Sequence, residues 1–433
     1  MDGVSQMLAE NIRSAKRGKN ERNGVHNWHP YYASYSENFV EDMLDYLGAD
    51  ESSIVLDPWM GSGTTALVCQ KRGIKSLGID INPVMVIFSK AKTRQLIELN
   101  LEQIGYDIMD TASTLKLDRG EFLNNEDTLE FVSAKDLNTL NKIQLAIDNV
   151  CKNQSRSANE KLLDPLRAFY IAVLFRCLRN VGKFKTGKNP TWLVNERSKV
   201  NEIDTYQLFY HYVKSMVSDL DNYFTNIFRL DSAIPLFIEG DSRKIDLPDS
   251  TANFIITSPP YLTRIDYAVS TKPELLFLGY KQHTDFDRVR RATMGAPVIA
   301  DKNIMVNEKW GQAICAFLNQ VKEHHAKASK SYYLPIFLQY FRDAYESLHE
   351  IKRVLKPNGY ACLVVQSSYY KDVEAKLGEM YVEMAQSLHM EAEIIKRDCV
   401  RHHLANVNSK SSKYVKNKIY YEDAVLIRKK GKN

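Results

Sequence analysis

Hydrophobic positions change their period several times along this chain, and each change marks an element. Residues 1–24 are polar and basic and read as an N-terminal arm, with order expected from Val25. Phe39, Val40, Met43, Leu44 and Leu47 then recur at helical spacing, with Ser36 placed to cap the first turn and Gly48 to stop the last. Ser53-Ile54-Val55-Leu56-Asp57 is a short apolar run that ends in a glycine-rich turn, and a helix begins at Thr64. Ser76-Leu77-Gly78-Ile79-Asp80 is a second run of the same kind. Strand, glycine turn, helix, strand and acid in that order make a Rossmann-like βαβ unit.

From Pro83 to Pro235 the chain is charged, helix-biased and poor in strand signals, with one apolar stretch at Phe169–Phe175; a helical insertion is expected over 101–235. Strand character returns at Phe254-Ile255-Ile256-Thr257 and must stop at the prolines that follow. Residues 262–335 look irregular and loop-rich. A helix over Leu338–Val354, a turn at Lys356-Pro357-Asn358-Gly359 and strands at Tyr360–Val365, Glu391–Ile395 and Asp423–Ile427 complete the α/β rhythm. The pattern therefore predicts one main α/β domain from 25–100 and 236–433, interrupted by the helical insertion.

Composition changes this picture little. Hydrophobic residues are 44% and charged residues 26% of the 433, ordinary values for a folded globular chain. No apolar run approaches the roughly 18 residues that span a bilayer, and no secretory leader is evident, so a cytoplasmic protein without membrane partners is expected. Six widely spaced cysteines contain no CxxC, and the adjacent pairs His324-His325 and His402-His403 lack ligand spacing, so no metal site is expected. The net charge of +5 is modest, but Lys and Arg gather in patches that can follow a phosphate backbone, among them Lys183 and Lys185, and Arg288, Arg290 and Arg291.

Two segments carry chemistry. In Asp57-Pro58-Trp59-Met60-Gly61-Ser62-Gly63-Thr64, glycines allow backbone to approach a ligand closely; the spacing is neither GxGxxG nor a P-loop. Asp80, with Asn82 just beyond it, ends the next strand where a carboxylate receives ribose hydroxyls. Asp241-Ser242 precedes a later strand and places a second acid near the same edge. Ser258-Pro259-Pro260-Tyr261 is the other segment. An exocyclic amino group on a base is a poor nucleophile because its lone pair is delocalised into the ring. A strand end with two prolines offers hydrogen-bond acceptors to a pyramidalising nitrogen, and Tyr261 offers a face for stacking a flipped base.

Those two segments resemble the DNA amino-methyltransferases, whose cofactor loop has the form DPFxGSGTT and whose catalytic loop is (S/D/N)PP(Y/F). Here they read DPWMGSGTT and SPPY, and the serine version resembles the cytosine-N4 branch more than the adenine-N6 branch. Trp28, His29 and Tyr31 look like the family's element that packs over the methionine half of the cofactor. The resemblance covers roughly 25–90 and 236–430. It implies a methyltransferase α/β sandwich with a mostly parallel seven-stranded sheet, S-adenosylmethionine held by Asp57 to Thr64, Asp80, Asn82, Asp241 and Ser242, and no metal. It also implies direct methyl transfer to a base in double-stranded DNA, with a cognate restriction endonuclease as a partner. Two departures stand out: Trp59 replaces the usual phenylalanine, and the cofactor segment precedes SPPY in the chain, the reverse of many relatives. Adenine-N6 methylation, a base-amino RNA methyltransferase and a non-catalytic DNA-binding subunit of a defence system are the alternative readings; a nicotinamide dehydrogenase has the wrong glycine spacing. Target recognition is assigned to 262–335 with Arg288, Arg290 and Arg291.

Overall fold

The computed structural model describes residues 11–18, 21, 23–30, 35–117, 126–154, 163–186, 193–196, 203–225, 234–262, 265–400 and 418–431. Seven strands form its central sheet: β1 (Ile54–Asp57), β2 (Lys75–Asp80), β3 (Leu236–Glu239), β4 (Ala252–Thr257), β5 (Leu355–Gln366), β6 (Glu391–Cys399) and β7 (Tyr421–Arg428). Their order across the sheet is β6-β7-β5-β4-β1-β2-β3, and only β7 runs against its neighbours. This is the expected α/β class with a mostly parallel seven-stranded sheet. Val55, Leu56, Ile255 and Ile256 are fully buried, as strands covered on both faces require, which is why these segments read as unbroken apolar runs.

Helices α1 (Glu37–Tyr46), α2 (Thr64–Arg72) and α3 (Pro83–Lys90) surround the first two strands. The α1 stripe is buried as its spacing predicts, and the helix ends in a Schellman arrangement: Gly48 sits at φ +67°, with the Ala49 N–H on Leu44 O and the Gly48 N–H on Asp45 O. Ser36 occupies the N-cap position, but its hydroxyl donates to Glu21 at 2.7 Å rather than capping α1.

Between β2 and β3 lie α4 (Leu101–Thr114), α5 (Ala134–Gln154), α6 (Leu163–Val181) and α7 (Thr205–Phe224). The apolar stretch Phe169–Phe175 is fully buried on every side of α6, which places the middle of that helix at the centre of this group, while charged residues such as Arg167 and Arg176 flank it. Each such Phe or Leu contributes about 1.5–3 kcal/mol by leaving water. A short ribbon pairs Phe184–Thr186 with Leu193–Asn195, an element the composition of the region did not announce.

The segment between β4 and β5 is more helical than its irregular sequence suggests. It holds a one-turn helix Tyr267–Ser270, α8 (Lys272–Phe277), α9 (Asp287–Ala292), α10 (Gln312–Glu323) and α11 (Leu334–Val354), with α12 (Leu377–Ser387) following β5. Lys356-Pro357-Asn358-Gly359 is not a separate turn but the irregular start of β5, where Asn358 takes φ +63° and the register against β4 shifts. No described helix is long and apolar enough to cross a membrane.

Candidate functional site

Because β1, β2, β3 and β4 are parallel neighbours, their carboxyl ends bring Asp57, Asp80, Asp241 and Ser258 to one edge of the sheet. A cleft opens there. The β1–α2 loop forms one side with Pro58, Trp59, Met60, Gly61, Ser62 and Thr64; Asp80, Asn82, Asp241 and Ser242 form its floor, and Ser258, Pro259 and Pro260 lie across from them.

Asp80 is oriented from both oxygens. The Gly61 N–H donates to one at 2.9 Å and the Asn82 N–H to the other at 2.8 Å. Burial pushes its carboxyl up to about 6, against the pull of these two donors, and the lone pairs those donors leave remain as acceptors. Asn82 caps α3 by accepting the Val84 N–H, while its amide donates to Thr271 at 2.8 Å. Gly63 is required by geometry: its φ is +83°, and a Cβ there would meet Ser89 Oγ at 2.8 Å. Behind the loop, buried Lys92 donates to the Ser62 carbonyl at 2.8 Å, and burial lowers its ammonium to about 7.

Asp57 faces inward rather than into the cleft. Its carboxylate accepts hydroxyls from Tyr35 (2.7 Å), Thr65 (2.9 Å) and Thr257 (2.6 Å) and the Trp59 N–H (3.2 Å). It therefore joins the cofactor loop to the last residue of β4, immediately before Ser258. Burial raises its carboxyl above the usual carboxylate range while the three hydroxyls oppose that rise.

In the Ser258–Tyr261 turn, the Ser258 hydroxyl donates to Val364 O at 3.0 Å, which leaves its lone pairs as acceptors. Tyr340 on α11 donates to the Pro260 carbonyl at 2.9 Å, and the Tyr261 N–H reaches Tyr267 Oη at 3.4 Å. Gly295, at φ +77°, lies so close that a Cβ would sit 2.8 Å from Tyr261 O.

Several expected residues lie elsewhere. Trp28 is buried against Phe169, with its indole N–H on Asp219, and faces the helical insertion. His29 packs on Phe88 and approaches Arg179, which clamps buried Glu274. Tyr31 falls outside the described residues. Among the basic residues, Arg290 is taken up by buried Asp266 at 2.6 Å, Arg288 pairs with Asp285 and Lys185 with Glu196, whereas Arg291 and Lys183 are exposed. The cleft also takes in Tyr35, Arg243, Tyr267 and Thr293-Met294, none of which a local motif marks. Arg243 alone left a trace, two residues after Asp241 in a turn where it folds back onto that acid.

Residues 6–90 match a family model described as DNA methylase. The chain is 25% identical over 367 residues to the Type II methyltransferase M.BsoBI of Geobacillus stearothermophilus, covering 79% of this chain and 65% of that one. It is 23% identical over 379 residues to the Type II methyltransferase M.MvaI of Kocuria varians, covering 81% and 79%. The chain thus spans somewhat under two thirds of the length of the first relative. Among solved structures, a putative sarcosine dimethylglycine methyltransferase from Galdieria sulphuraria aligns over 92% of this chain and 85% of that one at 9% identity, with a TM-score of 0.32.

Proposed function

We propose that the chain is a DNA amino-methyltransferase that transfers a methyl group from S-adenosylmethionine to the N4 amino group of cytosine in duplex DNA, a reading supported by the family match over residues 6–90 and by the likeness to Type II methyltransferases. The observation that carries this reading is the single cleft lined both by the Pro58–Thr64 loop with Asp80 and by Ser258-Pro259-Pro260. S-adenosylmethionine, when bound, supplies an activated methyl group.

The residues present fit that ligand. Asp80 is an acceptor oriented by two N–H donors and suited to ribose hydroxyls, Asp241 is an acceptor suited to an adenine amino group, and both line the same cleft as the glycine turn. The Ser258 hydroxyl, whose proton is held by Val364 O, turns its lone pairs to the target amino group and favours its pyramidal form. Tyr340, bonded to the Pro260 carbonyl, keeps the turn from relaxing. An amino group held there would accept the methyl group that bound S-adenosylmethionine would supply, the carbon–sulfur bond breaking as the carbon–nitrogen bond forms, with the sulfur left as a thioether and the extra nitrogen proton passing to water. Serine rather than aspartate at 258 favours cytosine N4. Exposed Arg291 and Lys183 suit phosphate contacts, and a restriction endonuclease of the same specificity would be the biological counterpart.

Incubation with isotopically labelled S-adenosylmethionine and mixed-sequence duplex DNA, followed by nucleoside mass spectrometry, tests the reading. Label in N4-methylcytosine is expected, and label in N6-methyladenine would reassign the base. Label confined to RNA, or none, would overturn it. Ser258→Ala is expected to slow transfer by about 10²–10³ while leaving cofactor affinity nearly unchanged.

A further inference from the structure

Arg243 occupies the cleft wall without being free to hold a ligand. Its Nε and Nη2 grip the Asp241 carboxylate, at 2.9 and 2.5 Å. Nη2 also donates to the Ala292 carbonyl at 2.7 Å, and Nη1 pairs with buried Asp343 of α11 at 3.0 Å. One guanidinium thus fastens three separate pieces: the acid after β3, the last carbonyl of α9 and the long helix α11. The first belongs to the cofactor side of the cleft. The second is the end of the helix that carries Arg291, and it leads directly into Thr293 and Met294 on the opposite wall. Asp343 is also bonded by Arg342, which reaches Asp301 further along the same segment, so the clamp is backed from outside the cleft.

We infer that Arg243 is a positioning residue that couples the cofactor half of the cleft to the DNA-facing helix α9, so that occupancy of one half strengthens binding at the other. The inference rests on the proposed methyl transfer to DNA and deepens it. Only a planar fork serves three anchors in three directions; a lysine has a single nitrogen and must abandon at least one. A cofactor that fixes Asp241 therefore fixes Arg243, and through Nη2 the C-terminal end of α9. By reciprocity, DNA held by α9 fixes Asp241 for the cofactor.

The test measures duplex affinity with and without S-adenosylhomocysteine, using a duplex already found to accept label, for the full-length protein and for Arg243→Lys and Arg243→Met. The native chain is expected to bind the duplex at least about fivefold more tightly with S-adenosylhomocysteine present. Both variants are expected to bring that ratio to within about twofold of unity. A purely structural contribution would weaken both ligands and leave the ratio intact, and that result, or a ratio of unity in the native chain, overturns the inference. Should the Arg243 variants fail to fold, Asp343→Asn, which removes one anchor outside the cleft, is expected to lower the ratio partway, and an unchanged ratio there counts equally against it. If no duplex accepts label, it is the proposed function that falls, before coupling is measured.

Discussion

Lys92 and Asp57 put opposite charges behind the same loop, and they differ in how well they are satisfied. Asp57 has four donors that oppose the effect of its burial, although burial still wins and holds its carboxyl above the usual range. Lys92 has the Ser62 carbonyl, and its ammonium is held near 7, which measures how poorly the site tolerates its charge. Replacing Lys92 by methionine is therefore expected to leave unfolding free energy unchanged or higher, since an apolar side chain of similar length fills the same space. The Ser62 carbonyl then loses its tether, and cofactor affinity is expected to fall about tenfold by calorimetry, the equivalent of a charge-assisted hydrogen bond of about 1.5 kcal/mol. A loss of several kcal/mol in urea unfolding with unchanged cofactor affinity would reverse this assignment.

The short helix α9 separates two arginines that the sequence presents as one basic cluster. Arg290 turns inward to an Asp266 side chain that is 3% exposed, whereas Arg291 stands in solvent. Arg290→Ala leaves a buried carboxylate without its partner and is expected to cost about 3–5 kcal/mol in chemical denaturation. Arg291→Ala is expected to leave stability unchanged, to weaken DNA binding uniformly across sequences, and to reduce the slope of log affinity against log salt by about 1. Equal stability losses for the two would show that the faces are misassigned.

That pair also marks where sequence reading stops. The βαβ unit, its glycine turn and the SPPY strand end were legible because local patterns dictate them: apolar runs that need cover on both faces, and prolines that cannot continue a ladder. Tyr35, Arg243 and Tyr267 were not: Tyr35 reaches the cleft through Asp57 and Thr65, Arg243 is held by Ala292 and Asp343 as well as by Asp241, and a lone Tyr or Arg has no pattern. Trp28 and His29 misled for the converse reason. Their side chains pack against α6, α7 and α8, contacts set by segments far along the chain and not by their neighbours in sequence. Most of residues 262–335 read as loops because their helices are only a few residues long, too short to show a period; the exception is α10, whose Ile314, Phe317, Leu318 and Val321 recur at helical spacing that the sequence did carry.

At the scale of the molecule, the helical insertion is joined to the catalytic part by a buried polar junction of His29, Arg179 and Glu274, with Arg179 also holding the Ser270 carbonyl. Burial and the adjacent Arg179 lower His29 from 6.5 to about 4, so the fold holds the neutral ring while the unfolded chain takes up a proton sooner. The stability this contributes is fully present above pH 6.5 and is lost as pH falls toward 4. Glu274, held down to about 2 against its burial mainly by Arg179, adds a second loss of the same sign between pH 4.5 and 2. Unfolding free energy measured by urea titration is expected to fall by about 2–3 kcal/mol between pH 7 and 4 from His29 alone, and His29→Phe is expected to flatten that limb. A variant with the native pH profile would remove His29 from this account.

The pairing of β1 with β4 has a consequence for the chain as it is made. Asp57 and Ala252 are 195 residues apart (252 − 57), and synthesis at ~5–20 residues per second puts ~10–40 s between the emergence of one strand and of its neighbour. Throughout that interval Val55 and Leu56, which end with no exposure at all, lack the strand that covers their flank. The nascent cofactor loop is thus complete in sequence long before it has a wall to close against. The helices α4 to α7, packed around Phe169–Phe175, all emerge before β4 does, so β1 gains its second neighbour only once that core is available.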